Sequence, residues 1–250
     1  MAGVPHVQFP EPALEWLVGG RFDPRVLSLT TRAGLPRRLR ELTSHVAVMD
    51  SDIQRLSTIA ALGDVPVAVG RPEALPFASS IFDVIIAHEV MPRLAPGLAL
   101  PEMARVLRPG GWVAASMLVR DDSVPWVRRF AELMRTADPG AMSDDSSQQA
   151  MQNLLTSKYF PRVAQRDFRI WVPINRDELV GMAERRASVA RQSAPQRTKF
   201  LASVHAIFDA SARGNELALP YQLRCYRAYV DHAELTTPIT LTDDALIIPL

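Results

Sequence analysis

A chain of 250 residues, 48% of them hydrophobic, is long enough to bury a full core, as one large α/β domain or a domain with an insertion. Its formal net charge of +1 excludes a global field that would draw it onto nucleic acid or a membrane surface, and apolar runs such as residues 84–87 and 113–115 are far too short to span a bilayer. The single cysteine, Cys225, excludes an internal disulfide and fits a reducing, cytoplasmic setting, and no Cys/His pair at metal-ligand spacing implies a metal.

In chain order, the turn-like Gly19-Gly20-Arg21-Phe22-Asp23-Pro24 precedes a short β-run at 25–29. Leu35, Leu39 and Leu42 then recur at helical spacing, with Pro36 acceptable in a first turn. A second apolar run, 46–49, ends at Asp50. The next helix puts Ile53, Leu56 and Ile59 on one face, with Ser51 or Asp52 as N-cap and Gly63 as its stop. Residues 65–69 and 84–87 read as a third and a fourth strand. Leu100, Met103, Ala104 and Leu107 predict an amphipathic helix stopped by Pro109-Gly110-Gly111, and a fifth strand follows at 112–119.

Strands apolar on both faces, alternating with helices, predict a parallel sheet covered on both sides and doubly wound by right-handed crossovers. Ligands in such sheets lie beyond the C-terminal strand ends, which selects residues 30–34, 50–51, 70–73 and 88–93. After residue 119 the rhythm changes. Residues 121–158 carry polar clusters, Asp144-Asp145-Ser146-Ser147-Gln148-Gln149 among them, and read as a mobile insertion or lid. Strand-like residues 168–172, helices at 176–191 and 197–213, and a closing strand at 217–230 complete the pattern. The organisation expected is one domain over 1–250: a ligand-binding core at 11–120, a helical insertion at 121–215, and a closing strand with tail at 216–250. The tail from 235 offers an added strand, or an arm to a second copy or another protein. The first residues lack the basic start and apolar stretch of a signal peptide.

The segment at 102–112, Glu-Met-Ala-Arg-Val-Leu-Arg-Pro-Gly-Gly-Trp, resembles the turn before the fifth strand of class I S-adenosylmethionine-dependent methyltransferases. Gly-Arg-Pro-Glu-Ala-Leu-Pro-Phe at 70–77 and Phe-Asp-Val-Ile-Ile-Ala at 82–87 resemble the same family in order and spacing. Trp-Leu-Val-Gly-Gly at 16–20, Asp-Asp-Ser-Val-Pro-Trp-Val at 121–127 and Leu-Pro-Tyr-Gln-Leu-Arg-Cys-Tyr-Arg-Ala at 219–228 are similar to a bacterial subgroup acting on small molecules, so the resemblance covers residues 11–229. It implies a Rossmann-like α/β sheet of seven strands, mostly parallel, with the last one or two antiparallel.

The family's first loop usually reads Asp-x-Gly-x-Gly-x-Gly, and in register this chain offers Ser28, Thr30, Arg32 and Gly34. A β-branched residue and an arginine at positions where glycine supplies positive φ cost on the order of 1–2 kcal/mol each, so a different loop path is expected. Their bulk would fill space used by the methionine half of the cofactor. S-adenosylmethionine binding is therefore expected to be weak or absent, roughly −5 kcal/mol or weaker.

The resemblance implies that Asp50, with Ser51 beside it, holds the ribose hydroxyls; a helix-capping Asp is the alternative. Arg71, Pro72 and Glu73 fall in the adenine region, where the family often has a small or acidic residue at the position of Arg71; Glu73 also reads as a solvated side chain. His88 and Glu89 follow the fourth strand near the transferred methyl. His88 reads either as a general base or as a strand-end histidine that orders the loop. Met91-Pro92-Arg93 reads as pocket wall or as helix packing, and Tyr221, Arg224 and Tyr226 as a site mouth or as strand alternation. Arg32, Arg37, Arg38 and Arg40 form a basic patch without the interleaved aromatics that stack bases, so no nucleic-acid partner is expected. Three functions follow from the sequence. One is a methyltransferase acting on a small molecule with an atypical cofactor loop. Another is an inactive homologue serving as scaffold or regulatory subunit, and the third is a pocket turned to another ligand.

Overall fold

The computed structural model describes residues 9–29, 34–61, 63, 65–138, 145–236, 241–242 and 245–246. A short helix opens the described chain: α1 (Glu11–Val18) buries Ala13, Leu14, Leu17 and Val18 on one face. Beyond it, strand and helix alternate as β1 (Val26–Ser28), α2 (Gly34–Leu42), β2 (Val46–Asp50), α3 (Ile53–Ala60), β3 (Val67–Val69) and β4 (Phe82–His88). A 3-10 turn, Met91–Arg93, leads into α4 (Pro96–Val106) and β5 (Leu107–Arg120). There follow α5 (Pro125–Ala137), α6 (Asp145–Leu155), β6 (Arg162–Ile174), α7 (Arg176–Glu184), α8 (Ala187–Ala190), α9 (Ala194–Ser211), β7 (Leu217–Tyr229), α10 (Ala233–Thr236), β8 (Leu241–Thr242) and β9 (Ala245–Leu246).

Seven strands form one sheet in the order β3-β2-β1-β4-β5-β7-β6. The pairs β1·β2, β1·β4, β2·β3 and β4·β5 are parallel, with Leu27 opposite both Ala47 and Ile85. β7 runs the other way beside β5: Asp121 N–H donates to the Pro220 carbonyl, and Val230 N–H donates to the Gly111 carbonyl ten residues earlier on β5. The expected doubly wound, mostly parallel sheet is the one found.

The chain forms two compact units. The larger holds residues 9–117, 145–167 and those from 224 onward. Its centre is β4, buried along its whole length because both flanking strands and both faces are covered. Trp112 on β5 donates its indole N–H to the Leu17 carbonyl at 2.9 Å, and the Arg227 guanidinium stacks on Trp16 at 4.4 Å. These contacts dock α1 and account for Trp16 and Trp112 in the family-like segments. The smaller unit holds residues 118–138 and 168–223. There α9 packs on α5 and α7, and Phe200, Val204 and Phe208 of α9 are buried, as are Phe130, Met134 and Leu179.

Several boundaries differ from the sequence expectation for identifiable reasons. β5 begins at Leu107, inside the expected helix stop, because Leu107 pairs with Phe82 before a register shift. Gly110 takes φ 74°, and a Cβ on Gly111 would lie 2.8 Å from the Asp83 carbonyl oxygen, so the irregular turn needs both glycines. β3 is shorter than expected and half exposed: it is the sheet edge, so its valines lack a covering layer. Ile53, expected on the buried face of α3, is 63% exposed at the helix start. β6 begins at Arg162, six residues early, because the polar stretch 162–167 extends an edge strand whose exposed residues carry no apolar signal. The helix expected over 176–191 is two, interrupted at Arg185-Arg186. In the tail, β8 and β9 pair with each other as a separate antiparallel hairpin, so they add no strand to the main sheet. The first eight residues, the side chains of the polar cluster at 144–148 and most of the tail lie outside the described residues.

Candidate functional site

A cavity of about 580 Å³ opens at the C-terminal strand ends of the larger unit. Leu29 just past β1, Met49 and Asp50 at the end of β2, and Ser51 form its inner side. α3 contributes Arg55, the turn after β3 contributes Arg71, Pro72 and Glu73, and the segment after β4 contributes Val90, Arg93, Leu94, Ala95 and Leu98. Of the residues singled out from the sequence, Asp50, Ser51, Arg71, Pro72 and Glu73 share this cavity, as does Arg93.

Asp50 ends a parallel strand, and its side chain is 11% exposed. One carboxylate oxygen accepts the Asp52 N–H at 2.8 Å, and the other lies 3.8 Å from Arg55. Asp52 caps α3 through the Gln54 N–H, so capping belongs to the neighbour and leaves Asp50 facing the cavity. Arg55 is a lining residue that sequence reasoning missed. Its only signal is its place one turn into the helix that follows Asp50.

The turn at 71–74 is held by a clamp that the motif at 102–112 supplies. Glu102 accepts the Leu75 N–H at 2.8 Å and is gripped by Arg105 at 2.7 Å, while Arg105 also donates to the carbonyls of Leu75 and Phe77. The Arg105 hydrogen bond, with help from the Leu75 N–H, pulls the Glu102 carboxyl below its ordinary value. Glu73 accepts the Ala95 N–H at 3.0 Å, tying the turn to the start of α4. Glu73 is thus part cavity wall and part latch. A Cβ on Gly70 would stand 2.9 Å from the Met49 sulfur, which explains a glycine at the head of this turn.

The ends of β1, β4 and β5 differ. Ser28 pairs with Ile86 and is fully buried, and its hydroxyl finds no hydrogen-bond partner among the described residues. His88 pairs with Ser116, and its ring is 1% exposed. Its Nδ1 lies 3.1 Å from the Ser116 hydroxyl, its Nε2 is 4.0 Å from the Glu89 carboxylate, and the Phe9 ring meets it edge-on at 4.6 Å. Arg38 of the expected basic patch donates to the Phe9 carbonyl and so helps fix this cover. Glu89 takes φ 53°, uncommon for a residue with a side chain, and donates its N–H to the Ser116 carbonyl. Ser28, His88 and Glu89 do not line the cavity. Gly34 opens α2, where a Cβ would meet nothing within 4 Å. Thr30 and Arg32, on which the expected change of loop path rests, lie outside the described residues.

Residues 34–115, which build these strand ends, match the methyltransferase domain family. An uncharacterized methyltransferase of Mycobacterium tuberculosis is 29% identical over 226 residues, 88% of each chain. Over its core the chain is similar to class I methyltransferases. An uncharacterized methyltransferase of Schizosaccharomyces pombe is 25% identical over 142 residues, 54% of this chain and 56% of its own. Among solved structures, a candidate type II methyltransferase of Anaeromyxobacter dehalogenans shares the fold, with a TM-score of 0.65 and 19% identity over 88% of this chain and 96% of that one. The resemblance read from the motifs and the sheet order therefore agree. In a methyltransferase of this fold, the cavity beside Asp50 lies where the sheet topology places a ligand. No described helix is long and apolar enough to cross a membrane.

Proposed function

We propose that the chain is an S-adenosylmethionine-dependent methyltransferase acting on a small molecule, with low cofactor affinity. The observation that carries this reading is the open cavity at the strand ends that Asp50 lines. An adenosine fits what lines it: a carboxylate accepts two ribose hydroxyls, and Met49, Pro72, Val90 and Leu98 offer an apolar slot to a base. Ser51, beside Asp50, would lie at the ribose. When bound, S-adenosylmethionine supplies an electrophilic methyl group on a sulfonium.

The protein's task is then alignment and exclusion of water, and proximity alone supplies much of the rate. His88 is sealed from solvent and acts by position: it sets the strand end from which Glu89 projects. The Glu89 side chain is the more accessible of the two, and it is the group that would orient an acceptor or take its proton. Ser28 in place of the usual carboxylate weakens the grip on the methionine amino group, because a buried neutral hydroxyl cannot replace a charge-assisted hydrogen bond.

Calorimetric titration of the whole chain with S-adenosylmethionine and S-adenosylhomocysteine tests this. Dissociation constants in the high micromolar range, worsened by Asp50→Asn, are expected. Absence of binding in folded protein would overturn the reading in favour of a non-catalytic scaffold, which Ser28 already favours. Low-micromolar affinity would remove the weak-binding part and restore an ordinary enzyme.

A further inference from the structure

The described lining of this cavity carries more cationic than anionic side chains, an excess that favours an anionic group on its ligand. Among the described residues, three guanidinium groups line it, Arg55, Arg71 and Arg93, against two carboxylates, Asp50 and Glu73. Arg55 is engaged, 3.2 Å from Asp52 and 3.8 Å from Asp50. The side chains of Arg71 and Arg93 make no hydrogen bond or ion pair among the described residues, and both are exposed. Their backbones are nonetheless fixed. The Glu73 bond to the Ala95 N–H joins the turn that carries Arg71 to the segment that carries Arg93. The Glu102–Arg105 clamp holds that turn from behind. Two guanidinium groups without a partner among the described residues thus line one cavity. Their planar forks match carboxylate and phosphate alike, and a phosphate monoester, with its two charges and three free oxygens, suits two guanidinium groups at once.

We propose that this rim binds phosphate, and that the cavity takes a phosphorylated nucleoside. The inference rests on the reading of the cavity as a nucleoside site. Asp50 would take the free sugar hydroxyls and the apolar wall the base, while Arg71 and Arg93 close on the phosphate. A phosphate on the ribose edge would lie toward Arg55 as well, and one on the 5′ carbon would not. The shared chemistry is a phosphate monoester on adenosine, and the position of the ester is left to the test. Such a nucleotide would compete with S-adenosylmethionine for the same space, so that its level would set how much of the protein is open to the methyl donor.

The test is calorimetric titration of the full chain with adenosine, 5′-AMP, 3′-AMP, 2′-AMP and inorganic phosphate, in wild type, Arg71→Ala and Arg93→Ala. At low salt, at least one AMP isomer is expected to bind tenfold or more tighter than adenosine. The advantage, read as the ratio of AMP to adenosine affinity within each protein, should shrink at high salt and fall at least fivefold in each variant. Additional sensitivity to Arg55→Ala for the 2′ or 3′ isomer alone would place the ester at the ribose edge. Adenosine binding as tightly as every isomer, or isomers that keep their advantage in both variants, would overturn the proposal and leave the nucleoside reading intact. Phosphate binding that Arg71→Ala abolishes, with no binding of adenosine or S-adenosylhomocysteine, would keep the anion site and remove the nucleoside reading.

Discussion

The strand ends of the larger unit fall into two regions of opposite character. At β1, β4 and β5, polar side chains are present but sealed: Ser28, His88 and Ser116 are all buried, and Phe9 covers the His88 ring. At β2 and β3, charged side chains face an open cavity. The same parallel topology thus produces both a rigid floor and a binding wall. What separates them is cover. The sealed side lies at the middle of the sheet order, under a neighbouring aromatic, whereas the open side is bounded by an edge strand and a clamped turn. Polar residues at strand ends are therefore not equivalent evidence for chemistry: a buried one reports on packing, and an exposed one on ligand.

The comparison breaks most visibly if the sealed histidine proves dispensable for folding. His88→Ala removes a buried ring and strands the Ser116 hydroxyl, and should cost about 2–4 kcal/mol in urea unfolding. Phe9→Ala should expose the ring instead, so that diethyl pyrocarbonate modifies His88 in native protein, which it should not do in wild type. A stable His88→Ala protein with unchanged ligand affinity would mean that the sealed region is not a structural floor.

On the open side the pattern should invert. Asp50→Asn keeps an acceptor for the Asp52 N–H, so stability should change by less than ~1 kcal/mol, while nucleoside affinity falls about tenfold, or ~1.4 kcal/mol. Loss of stability without loss of affinity would assign Asp50 to the helix start.

The clamp behind the open turn should respond to acid. Glu102 has its folded carboxyl held below the ordinary value, first by the Arg105 hydrogen bond. Its contribution is therefore fully present above the unfolded glutamate value, near pH 4.5, and is lost as pH falls through the lower folded value. Because the pair is partly exposed, the size is about 1 kcal/mol or less. Glu102→Gln should destabilise the protein near neutrality and lose less stability than wild type between pH 5 and 3, roughly one unit to either side of the ordinary glutamate value. Parallel stability curves would show that the clamp carries no net charge energy.

The smallest expected effect is at Ser28. Its buried hydroxyl has no partner among the described residues, so Ser28→Ala should be neutral or stabilising, within about 1 kcal/mol. A clear destabilisation would reveal a partner for the hydroxyl.

Much of this architecture was legible before any coordinates. The alternation of apolar runs and helical spacing names β1, β2, β4, β7 and most of the helices, because burial on both faces leaves a continuous apolar signal. Edge strands escape that logic: β3 is shorter and more exposed than its valines suggest, and the polar start of β6 is invisible to it. At the site, strand-end position alone selects Asp50, Ser51 and the turn at 71–73, because a doubly wound sheet leaves its ligands only that end. Position cannot distinguish His88 from Asp50. Both end a parallel strand, yet one is sealed by Phe9, a residue 79 positions away in sequence, and the other is open. Arg55 joins the cavity for the same kind of reason, since a helix turn returns its side chain to a rim that no sequence spacing describes, whereas Arg93 lies in the stretch 88–93 that strand-end position selects. Local propensity and hydrophobic period determine the elements and their order; which polar groups meet a ligand is decided only when distant segments cover some strand ends and leave others bare.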